Sequence, residues 1–212
     1  MRTKVLLVDD HAVVRSGLRR LLEINNTLEV CAEADSGEAA YQIYCDHQPD
    51  IVVMDISMPG MGGLEAAKRI IQRHPHAKII IFSMHEAVSF ASQALKTGVK
   101  GFVTKTGLAE DLLQAVLDVA KGRTFLSAGI AQKIALQTLI GDDDPMHQLS
   151  SREFEVFRLL AEGKKVEDVA EMLKISQKTV ANYYTIIKQK LGVSSPVEMV
   201  RLAMKHGLIQ GG

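Results

Sequence analysis

The sequence has few cysteines and no long apolar run. Its two cysteines, Cys31 and Cys45, lack the paired spacing of metal ligands and a disulfide-rich context, so we expect buried, reduced thiols. No apolar run approaches the roughly 18 residues that a membrane-spanning helix needs. The opening "MRTKVLLV" runs directly into charge at Asp9, unlike a secretory signal. We therefore expect a cytoplasmic protein that does not enter a membrane.

The chain also lacks an excess of either charge, with 25 Lys and Arg against 25 Asp and Glu. A neutral total gives no general attraction to nucleic acid or to an anionic membrane surface. The local distribution is uneven, because residues 148–212 carry ten Lys or Arg against seven Asp or Glu, whereas the stretch "GDDDP" before them is acidic. The C-terminal part of the chain is therefore modestly basic.

Strand-like and helix-like patterns alternate in the first part of the chain. Five short apolar runs, each followed by an amphipathic segment, lie at Lys4–Val8, Leu28–Ala34, Ile51–Met54, Lys78–Phe82 and Gly101–Thr104. This alternation predicts an α/β domain with a doubly wound, five-stranded parallel sheet covered by helices on both faces.

The polar stretch "GDDDP" is typical of a boundary between domains. After it, every patterned segment is helical, which predicts a second, smaller all-α domain. We predict a first domain over residues 1–122, a linker with a helical segment over 123–147, and the second domain over 148–212.

Reactive side chains follow four of the five predicted strands, at the point where each strand ends. They are Asp9, Asp10, Asp55, Ser83 and Lys105. Because the carboxyl ends of parallel strands meet at one edge of a sheet, we expect all five side chains in one crevice. A single strand-end aspartate is more often a helix cap, and a single lysine more often a surface amine. Their joint placement favours a functional site.

Three carboxylates in one crevice suit Mg²⁺, which prefers oxygen ligands and accepts phosphate oxygens beside them. Such a cation would offset the repulsion between the adjacent Asp9 and Asp10. Asp55 then serves as a nucleophile that forms an acyl phosphate, while Mg²⁺ and Lys105 balance the charge of the transferring group. An aspartate is already ionised at neutral pH, so no general base is required.

The stretches "VLLVDDH", "DIVVMDISMPGMGG", "IIIFSMHE" and "GFVTKT" resemble the flavodoxin-like receiver domain of two-component response regulators. The resemblance implies that Asp55 accepts a phosphoryl group from a sensor histidine kinase and that Lys105 contacts this group. It also implies that Asp9, Asp10, Asp55 and the backbone carbonyl of Ser57 hold Mg²⁺.

The same resemblance implies a switch. Ser83 and Phe102 match the hydroxyl and the aromatic residue that move when a receiver is phosphorylated. Phosphorylation adds charge and acceptor oxygens that a nearby hydroxyl can bond, which is a sound physical basis for such a movement. The expected contact with the kinase lies on the first helix, near Val13–Leu21.

A short helix, "VEDVAEMLK", a turn and a longer helix, "QKTVANYYTIIKQKL", form a helix-turn-helix pattern. In this motif the second helix enters the major groove of DNA. Its inward stripe is expected to hold Val180, Ile187 and Leu191. Its opposite side holds Lys178, Asn182, Thr185 and Gln189. A solvent-exposed helix face has the same pattern, so periodicity alone does not establish DNA binding.

The segment "LSSREFEVFRLLAEGKKVEDVAEMLKISQKTVANYYTIIKQKLGV" resembles the DNA-binding domain of the LuxR type, which is joined to a receiver in NarL/FixJ response regulators. We expect DNA contacts from Lys178, Thr179, Ala181, Asn182, Tyr183, Thr185, Lys188 and Lys190. Ala181 and Thr185 stand where the family often has basic residues. Tyr183 stands where His is frequent, and in this the chain is similar to the GacA/UvrY subgroup. By the same resemblance, the last helix, Pro196–His206, is the dimer surface.

Both resemblances imply a transcription regulator and not an enzyme, with at most self-catalysed phosphotransfer and autodephosphorylation. Mg²⁺-dependent phosphorylation of Asp55 would switch homodimer formation and binding to double-stranded promoter DNA. One alternative is a phosphohydrolase acting on a small phosphate ester, although Ser57 stands where its second acid is expected. Another is a DNA binder with a purely structural receiver, in which Asp55→Asn leaves DNA binding unchanged.

Overall fold

The computed structural model describes residues 2–140 and 144–209, and it divides the chain into two compact units. The first unit takes Met1–Met84 and Ala94–Ala128, and the second takes His85–Gln93 and Gly129–Gly212. Most of the predicted acidic break, residues 141–143, lies outside the described residues. Within the described ranges, no helix has the length and apolar character needed to cross a membrane.

The first unit is built on a parallel sheet with the strand order β2-β1-β3-β4-β5-β6. The strands are β1 (Thr3–Val8), β2 (Leu28–Ala34), β3 (Ile51–Met54), β4 (Ile79–Ser83), β5 (Gly101–Thr104) and β6 (Phe125–Leu126). β3 and β5 are buried along their whole length, which is why they appear in the sequence as unbroken apolar runs. Since β2 and β3 lie on opposite sides of β1, the strand order changes direction there and leaves a crevice at the carboxyl ends.

Helices cover the sheet of the first unit. They are α1 (Ala12–Glu23), α2 (Gly37–His47), α3 (Gly63–Arg73) and α5 (Ala109–Ala120), with α4 (Val88–Lys96) passing from the second unit into the first. Leu22 of α1 and Val116 of α5 pack in one apolar cluster with alternate strand residues such as Val5 and Leu7. The cysteines are free, as predicted, but both are half-buried and not fully buried.

The predicted parallel α/β fold is confirmed, with one strand more than the five predicted. The additional strand, β6, has only two residues and pairs with Gly101 and Phe102 of β5. A run of two residues is too short to carry a periodic signal, so the sequence pattern does not reveal it.

The described part of the second unit is helical, as predicted for the smaller domain. It contains α6 (Ala128–Ile140), a 3₁₀ helix (Pro145–Gln148), α7 (Ser151–Ala161), α8 (Val166–Met172), α9 (Gln177–Leu191) and α10 (Pro196–Lys205). Serines begin three of these helices by accepting backbone hydrogen bonds: Ser150, Ser176 and Ser195. Gly192 ends α9 in the left-handed conformation, with φ of 64°, where a side chain would be strained.

The first residues of α4 are packed inside the second unit. Ser89 Oγ donates to Asp144 Oδ2 at 2.5 Å, and the ring of Phe90 meets that of Phe154 edge-on at 5.1 Å. Gln93 Nε2 donates to the backbone carbonyls of Met146 and Leu149. No pattern in the sequence indicates these contacts, because they join residues more than 50 positions apart.

Candidate functional site

The predicted crevice at the carboxyl ends of the strands is present in the first unit. Asp9 and Asp55 directly follow β1 and β3, and both side chains are buried. Lys105 directly follows β5, and its ammonium lies 2.6 Å from Asp9 Oδ2 and 2.9 Å from Asp55 Oδ2. One cation therefore bridges the two buried carboxylates, although these three residues are far apart in the sequence.

The charges of this crevice are strongly coupled. Burial raises the pKa of the Asp55 carboxyl above its ordinary value, and the hydrogen bond from Lys105 opposes only part of this rise. Burial also works against the charged form of Lys105, but its hydrogen bonds to Asp9 and Asp55 outweigh burial and raise the pKa of the ammonium. Lys105 therefore stays positively charged beside Asp55 at neutral pH.

Asp10 and His11 stand at the open side of the crevice. His11 Nδ1 lies 2.9 Å from Asp10 Oδ1 and 3.2 Å from Asp9 Oδ1, and one ligand atom from each of the three residues lies within 4.8 Å of the other two. The Asp10 side chain is 27% exposed, so the cluster is open to an entering cation. Carboxylate oxygens beside a solvent-exposed opening suit Mg²⁺, which keeps several waters. The residues present therefore fit the predicted metal.

The loop after β3 approaches Asp55 closely. The backbone N–H of Ser57 hydrogen-bonds the Asp55 carboxylate and opposes a small part of the rise in pKa that burial causes, and Ser57 itself is exposed. Gly63, at the start of α3, donates its N–H to the carbonyl of Ile56 at 2.9 Å. A Cβ on Gly63 would lie 1.8 Å from the backbone oxygen of Asp55, so only glycine fits there. The glycine pair that ends "DIVVMDISMPGMGG" is a signal in the sequence for such a close approach, but the pattern alone does not predict the contact.

The two predicted switch residues, Ser83 and Phe102, are fully buried on neighbouring strands. Ser83 pairs with Thr104 in the sheet, and its carbonyl accepts the N–H of Lys105 at 2.7 Å. The carbonyl of Phe102 accepts the N–H of Ser127 at 3.0 Å. The residue expected to sense a phosphoryl group is thus tied through the backbone to Lys105.

The helix-turn-helix forms in the second unit, with α9 as its longer helix. Val180 and Ile187 are fully buried, as predicted, and Leu191 is half-buried. The predicted contact residues Lys178, Ala181, Asn182 and Thr185 are exposed, whereas Thr179, Tyr183 and Lys188 are half-buried. The polar stripe predicted from the sequence therefore faces away from the core of the unit.

Some predicted DNA contacts already have partners within the unit. Lys190 Nζ lies 2.7 Å from Glu153 Oε2 of α7, and Lys188 Nζ lies 5.1 Å from the centre of the Tyr184 ring. Thr185 Oγ1 donates to the carbonyl of Ala181 at 3.1 Å. Lys190 is therefore already engaged in an ion pair with α7, which helical periodicity does not reveal.

Two protein families match the chain. The response regulator receiver domain matches residues 5–117, and the luxR family of bacterial regulatory proteins matches residues 147–203. Response regulator GacA of Pseudomonas aeruginosa is 36% identical over 208 residues, covering 97% of each chain. Response regulator UvrY of Escherichia coli (strain K12) is 35% identical over 206 residues, covering 96% of this chain and 94% of its own.

Solved structures of similar proteins share the fold. RcsB of Salmonella enterica serovar Typhimurium, bound to promoter P1flhDC in the presence of the phosphomimetic BeF₃⁻, superposes with a TM-score of 0.73 and 27% identity. The alignment covers 97% of this chain and 100% of that chain. The near-complete matches to both domains and to whole relatives lead to one conclusion: the chain belongs to the NarL/FixJ-type response regulators, with a receiver domain and a LuxR-type DNA-binding domain.

Proposed function

We propose that a sensor histidine kinase phosphorylates Asp55 of this cytoplasmic regulator, and that phosphorylation promotes homodimer formation and binding to double-stranded promoter DNA. We propose a receiver over residues 1–122, a linker over 123–147 and a DNA-binding domain over 148–212. The single observation that carries the proposal is the Lys105 ammonium between Asp9 and Asp55. A buried nucleophile beside a fixed cation is the arrangement that phosphoryl transfer needs.

Asp55 is the proposed nucleophile. One of its carboxylate oxygens forms a bond to phosphorus while the bond between phosphorus and the kinase histidine breaks, and the electron pair stays on the histidine nitrogen. Lys105, 2.9 Å from Asp55 Oδ2, is placed to balance the negative charge on the phosphoryl oxygens.

The proposed Mg²⁺ ligands are the carboxylates of Asp9, Asp10 and Asp55 and the backbone carbonyl of Ser57. When bound, the ion supplies positive charge that offsets repulsion between the carboxylates and the phosphoryl group. Asp10 is the most exposed of the three acids and therefore the natural entry point for the ion.

Ser83 and Phe102 form the proposed switch. A phosphoryl group on Asp55 offers acceptor oxygens to the Ser83 hydroxyl, and a move of Ser83 opens space next to β5 for Phe102 to turn. The backbone bond between Lys105 N–H and Ser83 carbonyl supports this coupling, because it joins the end of β4 to the residue that holds Asp55.

DNA contacts are proposed for α9, from Lys178, Thr179, Ala181, Asn182, Tyr183, Thr185, Lys188 and Lys190. The exposed Asn182 has the donor and acceptor pair that reads adenine, and Lys178 is placed to neutralise a phosphate. The proposed dimer surface is α10, where the apolar side chains of Val197 and Met204 are exposed.

Intact-mass measurement after incubation with acetyl phosphate and Mg²⁺ tests the phosphoacceptor. We expect one labile phosphoryl adduct on the wild type and on Asp46→Asn, an exposed carboxylate of α2 that serves as the control, and none on Asp55→Asn. An adduct of equal yield on Asp55→Asn contradicts the proposal. Sustained hydrolysis of a small phosphate monoester, in place of acetyl phosphate, would instead favour the phosphohydrolase alternative.

A further inference from the structure

Arg15, in the first turn of α1, reaches back to the loop between β1 and α1. Its Nη1 donates to the backbone carbonyl of Asp9 at 2.6 Å, and its Nε donates to Glu33 Oε2 at 3.2 Å. Glu33 lies on β2 directly before Ala34, and the carbonyl of Ala34 accepts the N–H of Asp9 at 3.1 Å. The backbone of Asp9 is therefore held by two groups: its N–H by the Ala34 carbonyl of β2, and its carbonyl by Arg15, which is itself bonded to Glu33 of β2.

The carbonyl that Arg15 holds belongs to the peptide between Asp9 and Asp10. Because a peptide unit is planar, fixing its oxygen also fixes the direction in which the chain continues to the Cα of Asp10. The carboxylate of Asp9 has its own bonds, from the His11 N–H at 2.8 Å and from Lys105. The more exposed Asp10 carboxylate lies 2.9 Å from the His11 ring, and its position also depends on the backbone that Arg15 holds.

We infer that Arg15 is a positioning residue for the metal site, holding the Asp9–Asp10 peptide and with it the two neighbouring carboxylates. This inference rests on the proposed function, in which these aspartates hold Mg²⁺. Partners that orient metal ligands typically account for about 10–100-fold in metal affinity. Arg15 acts on Mg²⁺ affinity and not on phosphoryl transfer once the ion is bound, since its contacts are to Glu33 and to a backbone carbonyl.

Arg19 is a matched control on the same helix. It also pairs with Glu33, with Nε 2.7 Å from Oε1, but its other bonds go to Glu23 and to the carbonyl of Val30. Loss of Arg19 therefore weakens the packing of α1 on β2 and leaves the bond to the Asp9 carbonyl in place. A general effect of α1 packing would appear in both variants, whereas positioning of the metal ligands would appear only in Arg15 variants.

Calorimetric titration of Mg²⁺ into the full-length protein, without phosphodonor, measures the effect directly. We expect the Mg²⁺ dissociation constant to rise about tenfold in Arg15→Gln. The dissociation constant should rise by about threefold or less in Arg15→Lys, which retains a cationic donor. It should rise by less than about twofold in Arg19→Gln, which keeps the Arg15 bond to the Asp9 carbonyl. The initial rate of phosphorylation by acetyl phosphate at saturating Mg²⁺ should stay within about twofold of wild type in all three.

Unchanged Mg²⁺ affinity in Arg15→Gln overturns the inference, as does an equal loss of affinity in Arg19→Gln. Thermal unfolding in the absence of Mg²⁺ identifies a folding defect in Arg15→Gln. In that case a folded Arg15→Lys protein decides: a Mg²⁺ dissociation constant within about threefold of wild type supports the inference, and a rise of about tenfold or more overturns it. If Mg²⁺ binding depends on Arg15 but the wild type accepts no phosphoryl group, the proposed function fails while the positioning role stands.

Discussion

Lys190 Nζ lies 2.7 Å from Glu153 Oε2, and this ion pair joins the last turn of α9 to the first turn of α7. The same Glu153 oxygen accepts the N–H of Ser150 at 2.7 Å, as part of the capping box that begins α7. One buried carboxylate thus starts one helix and anchors the end of the helix that carries the predicted DNA contacts.

Lys190 and Lys178 should therefore contribute differently to the stability of the second unit although both lie on α9. Lys190→Gln should lower the free energy of unfolding of the second unit by about 1 kcal/mol, a small value because the lysine is partly exposed. Lys178→Gln should leave stability unchanged and reduce the salt dependence of DNA binding by about one phosphate contact. Urea unfolding, and fluorescence anisotropy with a labelled pool of duplexes at several salt concentrations, measure the two quantities. Unchanged stability in Lys190→Gln, together with a loss of stability in Lys178→Gln, would contradict a stabilising ion pair between Lys190 and Glu153.

Glu153 should make the stability of the second unit depend on pH. Burial raises its pKa, but hydrogen bonds from Lys190 and Ser150 outweigh burial and hold the pKa below 4.5, its ordinary value. Its contribution is therefore fully present above pH 4.5 and is lost as the pH falls through the lowered pKa. Urea unfolding of wild type and Glu153→Gln should show a stability difference at pH 7 that shrinks in acid. A difference that stays constant down to pH 3 would contradict this account.

Asp55→Asn should stabilise the first unit in metal-free buffer. Burial raises the pKa of this carboxyl above 3.8, so the stability that it adds is present below pH 3.8 and is lost as the pH rises through the raised pKa. At neutral pH the buried charge is unfavourable, and its removal should raise the melting temperature, because Lys105 keeps its ion pair with Asp9. Calorimetry with EDTA at pH 7 measures the change, with Asp46→Asn as the exposed control. A lower melting temperature for Asp55→Asn would contradict it.

The strands and the acidic crevice were predictable because both depend on local patterns. β1, β3 and β5 are apolar runs that end in Asp9, Asp55 and Lys105, and a parallel sheet must bring those ends to one edge. The two-residue β6 was too short to predict. The contacts of Ser89 and Phe90 of α4 inside the second unit depend on tertiary packing, which the periodicity of the sequence does not indicate.

The sequence does not predict several contacts of the candidate sites, because these contacts depend on tertiary geometry and not on residue type. His11 was visible in "VDDH", but its position 2.9 Å from Asp10 follows from the loop geometry. Lys190 is among the expected DNA contacts, and only the structure reveals its partner Glu153. Arg15 carries no sequence signal that sets it apart from the other cations of α1, because its bond to the Asp9 carbonyl depends on how the β1–α1 loop folds.

Gly63 should be intolerant of even a methyl group. A Cβ there would lie 1.8 Å from the Asp55 carbonyl oxygen, so the loop that carries Asp55 must move. We expect Gly63→Ala to lower the free energy of unfolding by about 1–3 kcal/mol. We also expect it to lower the phosphorylation rate by a factor of about ten or more. Gly17→Ala is the matched control, since nothing lies within 4 Å of its Cβ position on α1. Thermal unfolding and intact-mass kinetics test the pair, and wild-type behaviour of Gly63→Ala would contradict the close approach.

The most direct test of the central claim is the DNA affinity of the wild type and Asp55→Asn, each with and without acetyl phosphate and Mg²⁺. Fluorescence anisotropy with a labelled pool of duplex fragments at fixed salt measures it. If phosphorylation of Asp55 controls the helix-turn-helix, phosphorylated wild type binds about tenfold more tightly, within the usual range of coupling between sites, and Asp55→Asn does not respond. Equal affinity in all four samples, with the adduct present on the wild type, would contradict the claim that Asp55 controls DNA binding.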